Sequence, residues 1–368
     1  MILFIKVVFV FYVLMILLLM IGWQKNKIEL SPPIYKVSVI IAVRNEQDNI
    51  KRLVKSLKGQ DYDKDLYDVI IIDDHSDDNS WNLLCNEKLD WPELKLLSMD
   101  DDEHGKKGAI LKGVKFSDSE IIITTDADCF VSLNWITLMS SSFSDKKINF
   151  VSGPVSFKES STIFSKIQDL EFLSLVASGA GAIGINRPIF CNGANMAYRR
   201  EVFMQVNDYS KNNISSGDDV FLLHMVKKFY PGSIVFLRQY KAIVFTKPLL
   251  KFKQFLNQRI RWASKSTNYK DFDTIAVSLL VFFVNISLLV LLILSCFDHT
   301  CLNVFILLFS VKLMIDFLFF LPVLNFFKKQ GLIKWVLPVQ ILYPFYITLI
   351  VLTSNLFSFN WKGRVKNK

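Results

Sequence analysis

Glu120-Ile-Ile-Ile-Thr-Thr-Asp126-Ala127-Asp128 is the stretch on which the fold turns. Its β-branched run has no helical period and predicts a buried strand. The strand leads directly into two carboxylates separated by one small residue. Similar patterns occur upstream. Val37-Ser-Val-Ile-Ile-Ala-Val43 predicts a strand leading to Arg44-Asn45-Glu46, and Asp68-Val-Ile-Ile-Ile72 predicts another ending in Asp73-Asp74-His75-Ser76-Asp77-Asp78. Residues 47–59 carry Ile50, Leu53, Val54 and Leu57 at helical spacing. Helices are also predicted over about 78–88 and 107–116, with a further strand at Leu94–Leu97. Strands alternating with helices predict an α/β fold with a mostly parallel sheet. Such sheets bind ligands beyond the carboxyl ends of their strands, where the acidic clusters lie.

The chemistry follows from that edge. On an extended segment the carboxylates of Asp126 and Asp128 face the same way. Hard oxygens of this kind suit Mg²⁺ or Mn²⁺ held together with substrate phosphates. A solvated loop or a helix cap is the competing explanation, and the position after an apolar strand favours the metal. Asp77 or Asp78 is expected to cap the next helix, while Asp74 is expected to face the strand-end crevice. Gly105-Lys106-Lys107-Gly108 precedes a helix and reads either as a nest for a phosphate or nucleotide ring or as a solvated basic turn. Cys191-Asn192-Gly193-Ala194-Asn195-Met196-Ala197 is a small-residue stretch suited to close substrate approach. Asp218 and Asp219 open a helix after Ser216-Gly217, where capping alone would favour acids. Residues 249–265 read as a basic amphipathic helix at the membrane interface, its Lys and Arg meeting lipid phosphates and its Trp262 marking the boundary.

Outside this hydrophilic block, 24–273, the chain is apolar. Residues 1–23 are interrupted only by Lys6, and at roughly 20 residues the run is long enough to span a bilayer. It is too long for a signal-peptide core, and no small-x-small cleavage site follows. Further runs cover 274–297, about 302–326 and about 335–358, so 274–368 is expected to hold about three hydrophobic segments and a basic tail. Asp316 and Asn285 intrude and are expected to hydrogen-bond between helices. Lys25, Lys27, Lys328 and Lys329 place the hydrophilic block in the cytoplasm of a multi-pass inner-membrane protein. Pro338 and Pro344, with the basic tail, suggest a re-entrant or interfacial pair of short helices in the last run. A hydrophobic fraction of 51% and a mean hydropathy of +0.32 exclude a disordered chain and argue against a plain soluble one. The formal net charge of +9 suits anionic lipid or phosphate-bearing substrates. The basic residues cluster near the membrane rather than along an aromatic groove, so no nucleic-acid partner is expected. Five scattered cysteines point to a reduced compartment without disulfides.

Taken in order, Ala42-Val43-Arg44-Asn45-Glu46, Asp73-Asp74-His75-Ser76, Gly105-Lys106, Asp126-Ala127-Asp128, Gly217-Asp218-Asp219 and Gln258-Arg259-Ile260-Arg261-Trp262 resemble the motifs of the membrane-bound, inverting family 2 glycosyltransferases. The last is similar to the family's Q-x-x-R-W box. The resemblance covers the whole middle block and implies a GT-A-type sheet flanked by helices. It implies that Glu46, Asp73, Asp74 and Lys106 line the nucleotide pocket. Asp126 and Asp128 would hold the donor diphosphate through the metal. Asp219 would be the general base, with Asp218 supporting its loop. Gln258 and Arg261 would grip the diphosphate, and Trp262 would face the acceptor. His75 stands where the family usually has Gly, and Asp218 where Glu is more common.

The chemistry agrees with those roles. Inverting transfer needs one carboxylate to deprotonate the acceptor hydroxyl opposite the leaving diphosphate, and cations to neutralise that leaving group. No Ser-His or Cys-His set is evident or required. The expected activity is transfer from a nucleotide sugar, a UDP-sugar foremost, to a lipid or lipid-linked acceptor, with membrane lipids as partners. The alternative is a processive polysaccharide synthase of the poly-N-acetylglucosamine or cellulose synthase type, acting on a saccharide acceptor. A transport or scaffold protein that only binds nucleotide is the rival from another class, and no G-x-x-x-x-G-K-[ST] loop supports it.

Overall fold

The computed structural model describes residues 1–28, 30–32, 35–206, 218–266, 268–356, 359–361 and 364–366. In chain order the elements begin with α1 (Ile2–Lys25), β1 (Val37–Val43), α2 (Gln47–Lys58), β2 (Tyr67–Asp73), α3 (Ser80–Lys88), β3 (Leu94–Ser98), α4 (Lys106–Phe116) and β4 (Ile121–Thr124). Next come α5 (Trp135–Ser141), β5 (Phe150–Ser152), β6 (Val155–Phe157), α6 (Ile163–Gly184), β7 (Met196–Arg199), α7 (Arg200–Val206), α8 (Asp218–Phe229), β8 (Ile234–Phe236) and β9 (Val244–Thr246). The remainder is α9 (Phe252–Ser266), α10 (Phe272–Leu294), α11 (His299–Phe326), α12 (Val336–Leu356) and a hairpin of β10 (Phe359–Trp361) and β11 (Arg364–Lys366). Two compact units result. An α/β unit comprises Trp23–Glu159 and Ser178–Lys247, and a helical unit comprises Met1–Gly22, Ser160–Ala177 and Pro248–Lys368. Residues 160–177 and 248–273, expected in the middle block, therefore fall in the helical unit.

The α/β unit is built on a seven-stranded sheet of order β3-β2-β1-β4-β7-β5-β8. The first four strands are mutually parallel, β7 is antiparallel to both β4 and β5, and β8 is parallel to β5. Every residue of β2 is buried, which is why it reads as an unbroken Val and Ile run rather than an alternation. Val43 pairs with Asp73, and Asp73 with Ser98, so the loops after these strands leave at one edge. Helix α2 buries Ile50, Leu53, Val54 and Leu57, the face its spacing predicted. Helix α4 seats closely on the sheet at Gly113, where a Cβ would lie 2.7 Å from Ile40 Cγ2.

Asn195 clamps the far side of the unit. Its amide nitrogen donates to the carbonyls of Pro154 (2.8 Å) and Ala242 (2.9 Å), and its oxygen accepts from Trp135 Nε1 at 3.0 Å. The side chain is fully buried and its partners are all protein groups, so its place in the small-residue stretch is architectural.

In the helical unit, α1, α10, α11 and the segment Gln330–Ser354 are each long and apolar enough to cross a membrane. Helix α1 buries Ile5, Val8, Phe9, Tyr12, Ile16 and Leu19 and leaves Leu3, Phe4, Phe11, Leu14 and Leu18 exposed, a helical stripe against protein with the rest free for lipid. Four polar side chains meet inside this unit. Tyr12 Oη donates to Asp316 Oδ1 (2.7 Å), Lys312 Nζ to Asp316 Oδ2 (2.7 Å), and Gln340 Nε2 also to Asp316 Oδ2 (2.7 Å). Lys312 Nζ further bonds Gln340 Oε1. Asp316 thus joins α1, α11 and α12, as its intrusion predicted. Asn285 does not join helices through its amide nitrogen. That group turns back to the Val281 carbonyl at 2.7 Å, because a short side chain reaches its own preceding turn.

The last apolar run also differs from expectation. It forms one helix, α12, preceded by a 3-10 segment at Gln330–Trp335, rather than a pair of short helices. Pro338 lies in the first turn, where main-chain N–H groups lack intrahelical acceptors in any case. Pro344 removes a single main-chain donor, which a packed apolar helix tolerates.

Candidate active site

At the carboxyl edge of β4 the chain turns, and Asp126, Asp128 and Cys129 each bring a donor atom within 4.8 Å of the other two. The carboxylates meet through this turn and not through strand alternation, since β4 ends at Thr124. Lys106 Nζ bonds Asp126 Oδ1. Asp128 Oδ2 accepts from Thr246 Oγ1 (3.3 Å), and Oδ1 from Cys129 Sγ (3.5 Å). Burial, then the charges of Asp126 and Glu46, push the Asp128 carboxyl above its usual range. Burial, then Asp128 and Asp126, push the Cys129 thiol up as well, so sulfur stays protonated and the oxygens are the available donors. A paired set of hard oxygens whose charges repel fits Mg²⁺ or Mn²⁺.

The loops after β1 and β2 border the same edge. Glu46 Oε2 accepts from Asn49 Nδ2 at 2.6 Å. Asp73 Oδ2 accepts from the Ser76 N–H (3.0 Å), while its Oδ1 is buried with no hydrogen-bond partner among the described residues. Asp74, only 2% exposed, does not project freely into the crevice: its Oδ2 accepts from the Gly105 N–H at 3.1 Å. Beside a strand terminus a buried carboxylate must find donors, and the start of α4 supplies one. Asp78 is not the cap residue, which is Asn79, but from one position earlier it accepts from the main chain of Ser80 (2.9 Å) and of Gln47 (3.1 Å). Burial works against its charge, yet these hydrogen bonds outweigh it and hold the carboxyl below its usual range. His75 has φ +57°, in the left-handed region that favours glycine.

Asp219 reaches this group from the start of α8. Its Oδ2 accepts from the Gly193 N–H at 3.0 Å, and its Oδ1 from the Val220 N–H at 2.9 Å. A Cβ on Gly193 would lie 3.3 Å from Asp219 Oδ2 and 3.4 Å from Lys106 Nζ. Gly193 thus lets Asp219 approach the Lys106–Asp126 pair. The Asp218 side chain and the preceding Ser215, Ser216 and Gly217 lie outside the described residues. Sequence reasoning missed Thr246 and also Arg52, whose Nη2 donates to the Asp128 carbonyl at 2.9 Å. Neither carries a local signal, since each meets Asp128 only through the tertiary fold.

Gln258, Arg261 and Trp262 lie on α9 in the helical unit. There Arg259 does not meet lipid phosphates. It is buried, with Nε 2.9 Å from Glu171 Oε2 and Nη2 2.5 Å from the same oxygen. Its guanidinium also lies over Phe255 (4.5 Å) and Trp262 (4.4 Å). Tyr346 Oη donates to Glu171 Oε1 at 2.6 Å. Arg259 bonds Gln258 Oε1 as well. Amphipathic spacing placed this arginine on a polar face, and its counter-ion turns that face inward. Lys329 likewise pairs with buried Asp169 at 2.5 Å.

A family model for glycosyl transferase family 2 matches residues 38–206. Glycosyltransferase AglE of Haloferax volcanii is 26% identical over 184 residues, covering 50% of this chain and 58% of that protein. A hyaluronan synthase of Streptococcus pyogenes is 24% identical over 245 residues, covering 63% and 57%. The chain thus spans little more than half the length of these curated relatives. Among solved structures, the mannosyltransferase PcManGT of Pyrobaculum calidifontis, solved with GDP-Man and Mn²⁺, aligns with a TM-score of 0.60 at 16% identity, covering 92% of this chain and 95% of that one. That likeness concerns the fold. Residues 38–206 thus carry the sequence pattern of glycosyl transferase family 2, and the sheet they help to build has the GT-A fold.

Proposed function

We propose that the protein is an inverting glycosyltransferase that moves a sugar from a nucleotide-sugar donor to a lipid or lipid-linked acceptor at the cytoplasmic face of the inner membrane. The observation that carries this reading is the meeting of Asp219, Gly193, Lys106 and Asp126 beside Asp128 at one sheet edge. Asp126 and Asp128 would hold Mg²⁺ or Mn²⁺, which supplies positive charge to a departing diphosphate. Asp219 takes the proton of the acceptor hydroxyl. Its two main-chain donors fix the position of the carboxylate. Lys106, bonded here to Asp126, would serve a donor phosphate. Asp73, with one carboxylate oxygen that has no hydrogen-bond partner among the described residues, and Asp74 and Glu46 would line the nucleotide side. Arg261, Gln258 and Trp262 serve the diphosphate and the acceptor.

Polymer synthesis on a saccharide acceptor is the second reading. The Gln258-Arg259-Ile260-Arg261-Trp262 box and the hyaluronan synthase relative favour it. Purified full-length protein, incubated with Mn²⁺ or Mg²⁺, membrane lipids and a panel of nucleotide sugars, is expected to release nucleoside diphosphate. Mass analysis is expected to give a lipid one sugar heavier. A ladder of many sugars favours the second reading. Donor binding without any diphosphate release sinks both and leaves a nucleotide-binding module.

A further inference from the structure

We propose that Asp74, His75 and His104 form a binding site for a transition metal of the zinc class, separate from Asp126 and Asp128. One donor atom from each of the three residues lies within 4.8 Å of the other two. The imidazole rings of His75 and His104 meet edge-on, with centroids 4.8 Å apart. His75 Nδ1 is 3.2 Å from Asp74 Oδ1, while its Nε2 is buried and has no hydrogen-bond partner among the described residues. A buried, unpartnered ring nitrogen is an exception in folded proteins and calls for an occupant.

The carboxylate contact gives that nitrogen its character. Asp74 favours the tautomer with the proton on Nδ1, which leaves a lone pair on Nε2. Carboxylates commonly orient metal-binding histidines in this way. The backbone adds an independent indication. His75 sits at φ +57°, a strained conformation that glycine would adopt freely. An imidazole is held here against that preference. His104 is exposed, so the site has an entry path from solvent.

The donor set decides the class of metal. Two imidazole nitrogens, with Asp74 holding His75 from behind, suit a borderline ion such as Zn²⁺, water completing its shell. The oxygens of Asp126 and Asp128 suit harder ions. The α/β unit therefore carries two sites of different softness. Metal at the softer one would tether the loop that ends at Gly105, whose N–H already holds Asp74, and so fix the start of α4 two residues beyond His104.

The proposal does not depend on the transferase reading, because its test reads metal rather than turnover. Full-length, tag-free, metal-stripped protein in detergent is titrated with Zn²⁺ by calorimetry and with Co²⁺ by visible absorption. One Zn²⁺ equivalent is expected in the wild type and in Asp126→Asn/Asp128→Asn. It is expected to be lost in His104→Ala and in His75→Gly, together with the absorption of nitrogen-ligated Co²⁺. His75→Gly also relaxes the backbone, so a folded variant without the ligand is at hand even if His104→Ala misfolds. Zinc stoichiometry unchanged in His75→Gly overturns the proposal. Loss of zinc in Asp126→Asn/Asp128→Asn with the histidines intact does so too, by assigning the ion to the carboxylate pair.

Discussion

The Gly193 N–H donates to Asp219 Oδ2 at 3.0 Å, joining the start of α8 to the loop before β7. This bond and the one from Val220 occupy both carboxylate oxygens of Asp219. An asparagine keeps only one oxygen as acceptor. Asp219→Asn is therefore expected to cost about 1 kcal/mol of stability and, separately, to lower turnover roughly 10²–10⁴-fold with donor affinity nearly unchanged. Melting temperature, nucleotide affinity and turnover on one purified variant separate the two effects. Near-normal turnover assigns Asp219 to structure alone.

Asp128→Ala removes a half-buried carboxylate whose charge is already disfavoured by desolvation and by Asp126. It is expected to abolish metal-dependent donor binding while the fold persists. Lys106→Met leaves Asp126 without the ammonium that bonds it, so Mn²⁺ is expected to bind several-fold more tightly when no nucleotide is present. Calorimetry with Mn²⁺ checks both. Equal affinity in wild type and Lys106→Met contradicts competition between lysine and metal.

Arg259 and Arg261 are two residues apart and are expected to fail differently. Arg259→Ala strips Glu171 of its buried counter-ion, a loss worth roughly 3–5 kcal/mol. Arg259→Lys is a partial rescue at best, because the planar fork is lost. Arg261→Ala is expected to weaken donor binding and turnover with a small change in melting temperature. Thermal denaturation in detergent beside turnover tests the contrast.

Lys312→Leu leaves Asp316 charged and buried with Tyr12 and Gln340 alone, and is expected to destabilise the helical unit by roughly 3–5 kcal/mol. Lys312→Leu/Asp316→Leu is expected to recover most of that loss, since no charge is then stranded. Tyr12→Phe, which removes one hydrogen bond, is expected to cost roughly 0.6–1.7 kcal/mol. A double variant no more stable than Lys312→Leu argues against the ion pair.

A reporter fused at about residue 150 is expected to read cytoplasmic, from Lys25 and Lys27 at the end of α1 and Lys328 and Lys329 after α11. An external signal reverses the orientation.

The sheet was legible because its information is local. Val37–Val43, Asp68–Ile72 and Glu120–Thr125 are short β-branched runs, and each hands over to acids at the point where a parallel sheet exposes its edge. The meeting of Asp126 and Asp128 was legible for the same reason, although a turn rather than a strand achieves it. Partners were not legible. Arg259 reads as a lipid-facing cation because spacing over two helical turns cannot reveal Glu171, 88 positions away. Asp74 reads as projecting into a crevice because nothing near it in sequence announces the Gly105 N–H, 31 positions on. Pro338 and Pro344 suggested a broken helix because sequence alone does not reveal how far neighbouring packing tolerates missing donors.

The Tyr12–Asp316 bond has a bearing on how the chain is made. Its two ends are 304 positions apart, so at about 5–20 residues per second the first helix leaves the ribosome roughly 15–60 s before its acceptor does. During that interval the tyrosine hydroxyl of α1 lacks the acceptor it has in the folded protein, and any chain released before α11 is complete never provides it. The bond thus separates chains that include α11 from chains that stop before it, giving membrane quality control a local difference to read.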